Sequence, residues 1–283
     1  MTTYTPIDAS FGAVVTDIDL CALSDLEFAE LHAEWLNHAL LVFPGQFLTN
    51  DEQIAFARRF GELELELAAI SNVLRDGSVR APEDSDGVIQ ILKGNMDWHC
   101  DSTYMPVQAK GAVFTAHVVP DEGGETGWAD LRAGFDHLHD DLKQQVSELS
   151  AFHSLYHSQA KAGFSPKAGD GYRGYGFHDQ KPPLRPLVKS HPETGRKSLL
   201  IGRHAYGIPG MTPEASEKLL DELLQEVCQP PRVYHHRWRE GDAVLWDNRC
   251  LLHRACPWNM AKPRVMYHSR IAGDQASEFA GPE

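Results

Sequence analysis

Short apolar runs bounded by Gly and Pro dominate the chain, and stretches of helical spacing interrupt them. Residues 11–20 (FGAVVTDIDL) alternate enough to predict a strand. Ser24 then stands as N-cap to a helix over 26–38 (LEFAELHAEWLNH). Residues 39–46 (ALLVFPGQ) predict a buried strand ended by Pro44-Gly45. Asn50 caps a second helix, DEQIAFARRFG, which Gly61 stops. Residues 74–88 are polar and rich in Gly, Asp and Pro, and predict a loop. A strand is predicted over 89–95 (IQILKGN) and another over 112–119 (AVFTAHVV), followed by a helix over 131–149. Residues 157–183 form a second long loop, of the kind that usually serves as a lid or binding loop. Residues 185–191 and 198–202 read as a hairpin across a PETG turn. Thr212-Pro213 starts a helix over 212–228. Residues 233–255 predict two strands joined by Glu240-Gly241-Asp242, and 264–273 the last strand. No internal repeat or linker is evident, so residues 1–283 read as a single strand-rich domain decorated by helices.

Composition narrows the partners. Among 283 residues the net charge is −14 at pH 7. A negative surface repels phosphate backbones, so nucleic acid is not expected as a partner. An anionic ligand would need a local cluster of Arg or Lys. Five cysteines without a CxxC argue against a disulfide framework or zinc ribbon and fit a reducing cytoplasm. The N-terminus lacks a basic region followed by an apolar one, and no apolar run nears the ~20 residues that span a bilayer. A cytoplasmic protein with no membrane association is expected.

The chemistry centres on Trp98-His99-Cys100-Asp101. If this segment ends a strand, His99 and Asp101 point to one side and Cys100 to the other. Both could then bind one metal. Two histidines and one carboxylate on one face of a metal leave positions open for O2 and a co-substrate, as in non-haem Fe(II) oxygenases. HxD alone is more often a surface turn or a His–Asp hydrogen bond. The context adds His253, in WDNRCLLHRA, and Arg264, 11 residues further on in KPRVMYHSR.

Together the HxD, the distal His and the downstream Arg resemble the Fe(II)/2-oxoglutarate-dependent dioxygenases. WHCDSTY, then GGETGWAD, then DNRCLLHRA and PRVMYHSR resemble the taurine/2,4-D dioxygenase family in order and spacing, over roughly residues 5–273. NMDWHCDSTYMPV, ISNV, PLRPLVKSHPETGRKSLLIGRHA and WDNRCLLHRACPW are similar to its aryloxyalkanoate members, including the S-specific phenoxypropionate enzymes. The resemblance implies a mainly β fold with flanking helices around a double-stranded β-helix (jelly-roll) core. It implies Fe(II) held by His99, Asp101 and His253, with 2-oxoglutarate and O2 as co-substrates. The far carboxylate of 2-oxoglutarate would meet Arg264, a planar two-pronged donor, and the hydroxyl of Thr126. The implied reaction converts 2-oxoglutarate to succinate and CO2 and hydroxylates the carbon next to the ether oxygen of a small carboxylate such as 2,4-D or (S)-dichlorprop. A homo-oligomer is implied too, with a trimer the assembly suggested.

For the substrate, Arg270 shares a strand face with His268 and Arg264 and is expected to hold the carboxylate while touching 2-oxoglutarate. His204 matches a substrate-side position of the S-specific relatives, and Ile70 and Ser71 lie where that family shapes its pocket. Tyr104, Met105 and Phe114 are expected to face the aryl ring, with Asn95 and Trp98 ordering the metal ligands. Arg203 and Arg254 sit beside motif residues. The stretches 62–69 (ELELELAA) and 157–183 depart from near relatives and are expected at the pocket entrance, where they bear on substrate range and enantiomer preference. Three other readings use the same residues: the same cofactors acting on a sulfonate or alkyl sulfate, a zinc hydrolase, and a cupin-like binding protein without turnover.

Overall fold

A computed structural model describes residues 1–82, 87–163 and 181–280. Most of the long loop expected over 157–183, and residues 83–86 of the loop expected over 74–88, lie outside the described residues. The described part is mostly strands with flanking helices. The largest sheet has seven strands. Its order runs Thr3–Pro6, Ala13–Thr16, Leu40–Phe43, Ala243–Asp247, Gly111–Val118, Val265–Ile271 and Leu63–Ser71. A second sheet sets Thr126–Asp130 between Val233–His236 and Leu251–Ala255, antiparallel to both.

Strand periodicity explains how the large sheet is covered. Val42, Ala112, Phe114, Val244, Trp246 and Met266 turn to one face and share a buried cluster with Trp128 and Leu251 of the second sheet. Leu41, Phe43, Val113, Ala243 and Leu245 turn to the other face. There they meet Leu31 and Trp35 of the helix Asp25–His38 and Phe56 of the helix Asn50–Arg58. Both helices start on capping boxes, Ser24 with Glu27 and Thr49 with Glu52, which satisfy orphan N–H groups at the helix start. The cap of the second helix is thus Thr49, one residue before the Asn50 expected from sequence.

Several predicted elements change. Residues 87–94 form a helix, Gly87–Gly94, where a strand over 89–95 was expected. Its apolar run buries Ile89 and Leu92, three apart, against Met260. The helix expected over 131–149 is two, Leu131–His137 and Asp140–Ser147, because Leu138 turns to extended backbone between them. Residues 233–255 hold three strands rather than two. Val233–His236 belongs to the second sheet, Ala243–Asp247 to the large one, and Leu251–Ala255 to the second again.

The corner at Asn248–Cys250 therefore carries the chain from one sheet to the other. Asp247 anchors it. Its carboxylate accepts two bonds from the Arg249 guanidinium, at 2.9 and 2.7 Å, and lies 2.9 Å from His191 Nε2. Burial pushes its carboxyl up, but the Arg249 guanidinium outweighs this and holds it well below the usual carboxylate range.

A bulge shapes the edge of the sheet. Ala68 pairs His268 but Leu65 pairs Arg270, so Leu63–Ser71 has one residue extra there. The extra residue shifts the alternation and lets Leu65, Ala68 and Ile70 all line one cavity. No helix among the described residues is long and apolar enough to cross a membrane, and all five cysteines are free.

Gly111, at the start of the inner strand Gly111–Val118, tests the packing. A Cβ there would lie 2.6 Å from the Trp246 carbonyl oxygen and 3.0 Å from the Trp35 ring. Gly111→Ala is expected to destabilise the protein by ~1–3 kcal/mol through overpacking, read as a lower urea midpoint. An unchanged midpoint would show that this strand crossing has slack.

Candidate active site

His253 lies on the strand Leu251–Ala255, paired with Trp128. The HxD segment is not a strand of its own. It attaches to that strand's free edge by a two-bond bridge: His99 N–H donates to the His253 carbonyl at 3.0 Å, and His253 N–H to the His99 carbonyl at 2.8 Å. Cys100 turns away, its thiol 3.4 Å from the Leu251 carbonyl. Asn248 fixes the next residue. Its Oδ1 accepts from the Asp101 N–H at 2.7 Å, and its amide donates to the carbonyls of Asp101 and Ala109, both at 2.9 Å.

These ties bring ligand atoms of His99, Asp101 and His253 within 4.8 Å of one another, all buried. His99 Nδ1 faces the Asp97 carbonyl at 2.7 Å, an acceptor only, so the proton sits on Nδ1 and Nε2 keeps its lone pair. His253 Nε2 is 3.7 Å from Asp101 Oδ2. That oxygen is buried and accepts no hydrogen bond. A buried carboxylate oxygen without a partner is costly, and a cation between the imidazoles would satisfy it. Protonation states suit one as well. Burial lowers the His99 pKa to about 3, helped by His253, and burial lowers His253 to about 4. Burial pushes Asp101 up, but the Arg270 guanidinium and then the neighbouring imidazoles outweigh it and hold its carboxyl well below the usual range. Neutral imidazoles and an ionised carboxylate are what a divalent metal requires. A second cluster, His191, Asp247 and Cys250, is also compact. Its carboxylate is already bonded to Arg249 and His191, so it is a structural knot.

The three groups border a cavity of about 210 Å³. Its walls carry Arg203, Arg254, Arg264 and Arg270 against one acid, Asp101. An acidic protein thus holds a cationic pocket suited to anions. Arg264 is 2 % exposed, packs over Trp258, and donates from Nε and Nη2 to the Gly124 carbonyl at 3.3 and 3.1 Å. Burial lowers its pKa to about 10, so it stays charged at neutral pH. Thr126 Oγ1 accepts from Trp238 Nε1 at 2.9 Å, which leaves its own O–H free to donate. Both residues line the cavity.

Ile70, Asn95, Tyr104, Phe114 and His204 line it too. His204 Nδ1 lies 2.8 Å from Ser158 Oγ, and its ring sits edge-on to Tyr104 at 4.8 Å. Ser71 and Met105 are not among the lining residues; the Ser71 hydroxyl accepts from Val73 N–H at 2.9 Å. Arg270 is committed to protein partners: Nη2 donates to Asp101 Oδ1 at 3.0 Å and Nη1 to Ser102 Oγ at 3.2 Å. Trp98 lies under the Arg254 guanidinium. A larger cleft of about 1420 Å³ shares Arg203 and Arg254 with this cavity and lies away from the three ligand groups.

Beside the ligand groups, His268 and Asn248 carry no expectation from sequence. His268 stacks on Trp246, rings 5.5 Å apart and 5° from parallel, with Nε2 3.5 Å from Asp101 Oδ2. Its parity with Arg270 on one strand was the available signal. Asn248 acts through amide geometry, for which the sequence has no signature.

Similarity to known proteins defines the class of the chain. A family model described as taurine catabolism dioxygenase TauD, TfdA family matches residues 3–270. The chain belongs to this family. It is 64% identical over 276 residues to the (S)-phenoxypropionate/alpha-ketoglutarate-dioxygenase of Sphingobium herbicidovorans, covering 97% of this chain and 96% of that protein. It is 55% identical over 282 residues to the protein of the same description from Delftia acidovorans, covering 98% and 97%. Among solved structures, AAD-2 in complex with Mn(II) and N-oxalylglycine superimposes with a TM-score of 0.90 at 33% identity, covering 99% of this chain and 100% of that one.

The buried imidazoles set a pH dependence. Burial lowers His99 and His153 to about 3 and His253 and His268 to about 4, below the unfolded value of about 6.5. Their stabilisation is fully present above 6.5 and is lost as pH falls towards the folded values. Each contributes up to ~1.4 kcal/mol per pH unit in that window. The urea midpoint of the metal-free protein is expected to fall steadily from pH 6.5 to 4.5. A flat profile would contradict neutral buried imidazoles.

Proposed function

We propose that the protein is an Fe(II)/2-oxoglutarate-dependent dioxygenase that hydroxylates the carbon beside the ether oxygen of aryloxyalkanoates of the 2,4-D and (S)-dichlorprop type. The observation that carries this reading is the unpartnered Asp101 oxygen between two neutral imidazoles, in a cavity walled by four arginines. His99, Asp101 and His253 hold the metal. Bound there with 2-oxoglutarate, iron supplies the oxidation of a C–H bond by O2.

The chain's own residues position the reactants. Arg264 and Thr126 seat the far carboxylate of 2-oxoglutarate, the guanidinium as a two-pronged donor and the hydroxyl as a third bond. Ile70, Phe114 and Tyr104 offer apolar surface to an aryl ring, and Asn95 and His204 offer polar contacts in the same cavity. Buried arginines balance the anionic charge of both ligands. Hydroxylation at the ether carbon gives a hemiacetal or hemiketal, which falls into a phenol and an oxo-acid without a protein nucleophile. The similarity to two (S)-phenoxypropionate dioxygenases supports this substrate class over a sulfonate. We read residues 1–283 as one domain whose two facing sheets are the jelly roll. We place it in the cytoplasm, in keeping with five free thiols, as a homo-oligomer whose first form to test is a trimer.

Purified protein with Fe(II), ascorbate and 2-oxoglutarate is expected to release a phenol, with matching succinate, from (S)-dichlorprop or 2,4-D. Sulfite from taurine without phenol from either herbicide would replace the substrate class and leave the cofactors standing. Arg264→Ala is expected to raise the KM for 2-oxoglutarate far more than that for the aryloxyalkanoate.

A further inference from the structure

Asp101 has two carboxylate oxygens, and the structure treats them differently. Oδ2 faces the imidazoles of His253 and His268 and accepts no hydrogen bond. Oδ1 accepts from Arg270 Nη2 at 3.0 Å. The other prong of the guanidinium donates to Ser102 Oγ at 3.2 Å, and Ser102 Oγ donates in turn to Glu64 Oε2 at 2.9 Å. Ser102 holds this place with φ of 59°, the left-handed region that non-glycine residues avoid. Such strain persists where surrounding contacts over-determine it.

The distinction matters for coordination. A carboxylate can bind a metal through one oxygen or both. With two imidazoles and a one-oxygen Asp101, a six-coordinate metal keeps three open positions. 2-Oxoglutarate, offering two oxygens, and O2 would need all three. A two-oxygen Asp101 would remove one of them. A charge-assisted bond from Arg270 occupies Oδ1 and directs only Oδ2 inward. We propose that Arg270, braced from behind by Ser102 and Glu64, is a positioning group that holds Asp101 to one-oxygen ligation. Glu64 thereby gives the ELELELAA stretch a role beyond lining the cavity. The inference rests on the metal reading above.

Two variants test it, Arg270→Gln and Ser102→Ala; the second keeps every charge and guards against loss of fold in the first. Circular dichroism verifies folding. The Co(II)-loaded proteins without 2-oxoglutarate are compared by visible absorption, which reports coordination number. The Mn(II)-loaded proteins are titrated anaerobically with 2-oxoglutarate by calorimetry. Expected are an altered Co(II) spectrum and a Kd for 2-oxoglutarate raised about tenfold in Arg270→Gln, with a smaller change of the same kind in Ser102→Ala. A wild-type Co(II) spectrum in Arg270→Gln would overturn the proposal, because a guanidinium that touched only 2-oxoglutarate or substrate would leave the metal unchanged. Wild-type behaviour of Ser102→Ala in both measurements would overturn the bracing role. Failure of the wild-type protein to bind Co(II) or Mn(II) at all would instead sink the metal reading.

Discussion

The site hangs on two main-chain hydrogen bonds between His99 and His253. They are of ordinary length, at 3.0 and 2.8 Å, and they join segments 154 positions apart in the chain. Because they are backbone bonds, they fix where both Cα–Cβ vectors start whatever the side chains do. Asn248 adds a third tie from the adjoining corner, satisfying three buried backbone groups of Asp101 and Ala109 with one amide. That corner is itself held by the Asp247–Arg249 pair. Ligand geometry is thus built by the same contacts that pass the chain from one sheet to the other. The cost is the Asp101 oxygen that accepts no hydrogen bond, a group that a bound cation would satisfy.

Charge is distributed on the same logic. The chain as a whole carries −14, yet four arginines wall the cavity. Bringing guanidinium groups out of water is unfavourable unless each finds acceptors. Arg264 uses the Gly124 carbonyl and Arg270 uses Asp101 and Ser102. Arg203 reaches the carbonyls of Gly94 and Ser158. These bonds leave positive charge for anionic ligands while the outer surface stays acidic. A dicarboxylate and a monocarboxylate can therefore enter one small cavity without building up negative charge.

Motif residues were legible because their chemistry is local. HxD followed by a distant His and Arg narrows the choices before any fold is known, and the structure gathers His99, Asp101, His253, Thr126 and Arg264 around one cavity. What was not legible depends on tertiary context. The run from Val88 to Leu92 has strand-like composition, and only its burial at three-residue spacing makes it helical. Arg270 had the parity of a pocket residue and does line the cavity, but its bonds to Asp101 and Ser102 are revealed by no periodicity. His268 shared that parity and drew no expectation. Ser71 adjoins the lining residue Ile70, but alternation turns its hydroxyl back to the Val73 N–H. The bulge opposite His268 and Arg270, which brings Leu65 and Ala68 into one wall, leaves no mark in the ELELELAA repeat.

The central claim is that this cavity seats iron and 2-oxoglutarate together, so that the two atoms of O2 part between co-substrate and substrate. Its most direct test is turnover of (S)-dichlorprop under isotopically labelled O2, with mass spectrometry of the succinate. The account predicts one labelled oxygen in each succinate and no phenol in the absence of O2. Unlabelled succinate, or phenol released anaerobically, would contradict it and point to a hydrolytic metal held by the same three residues.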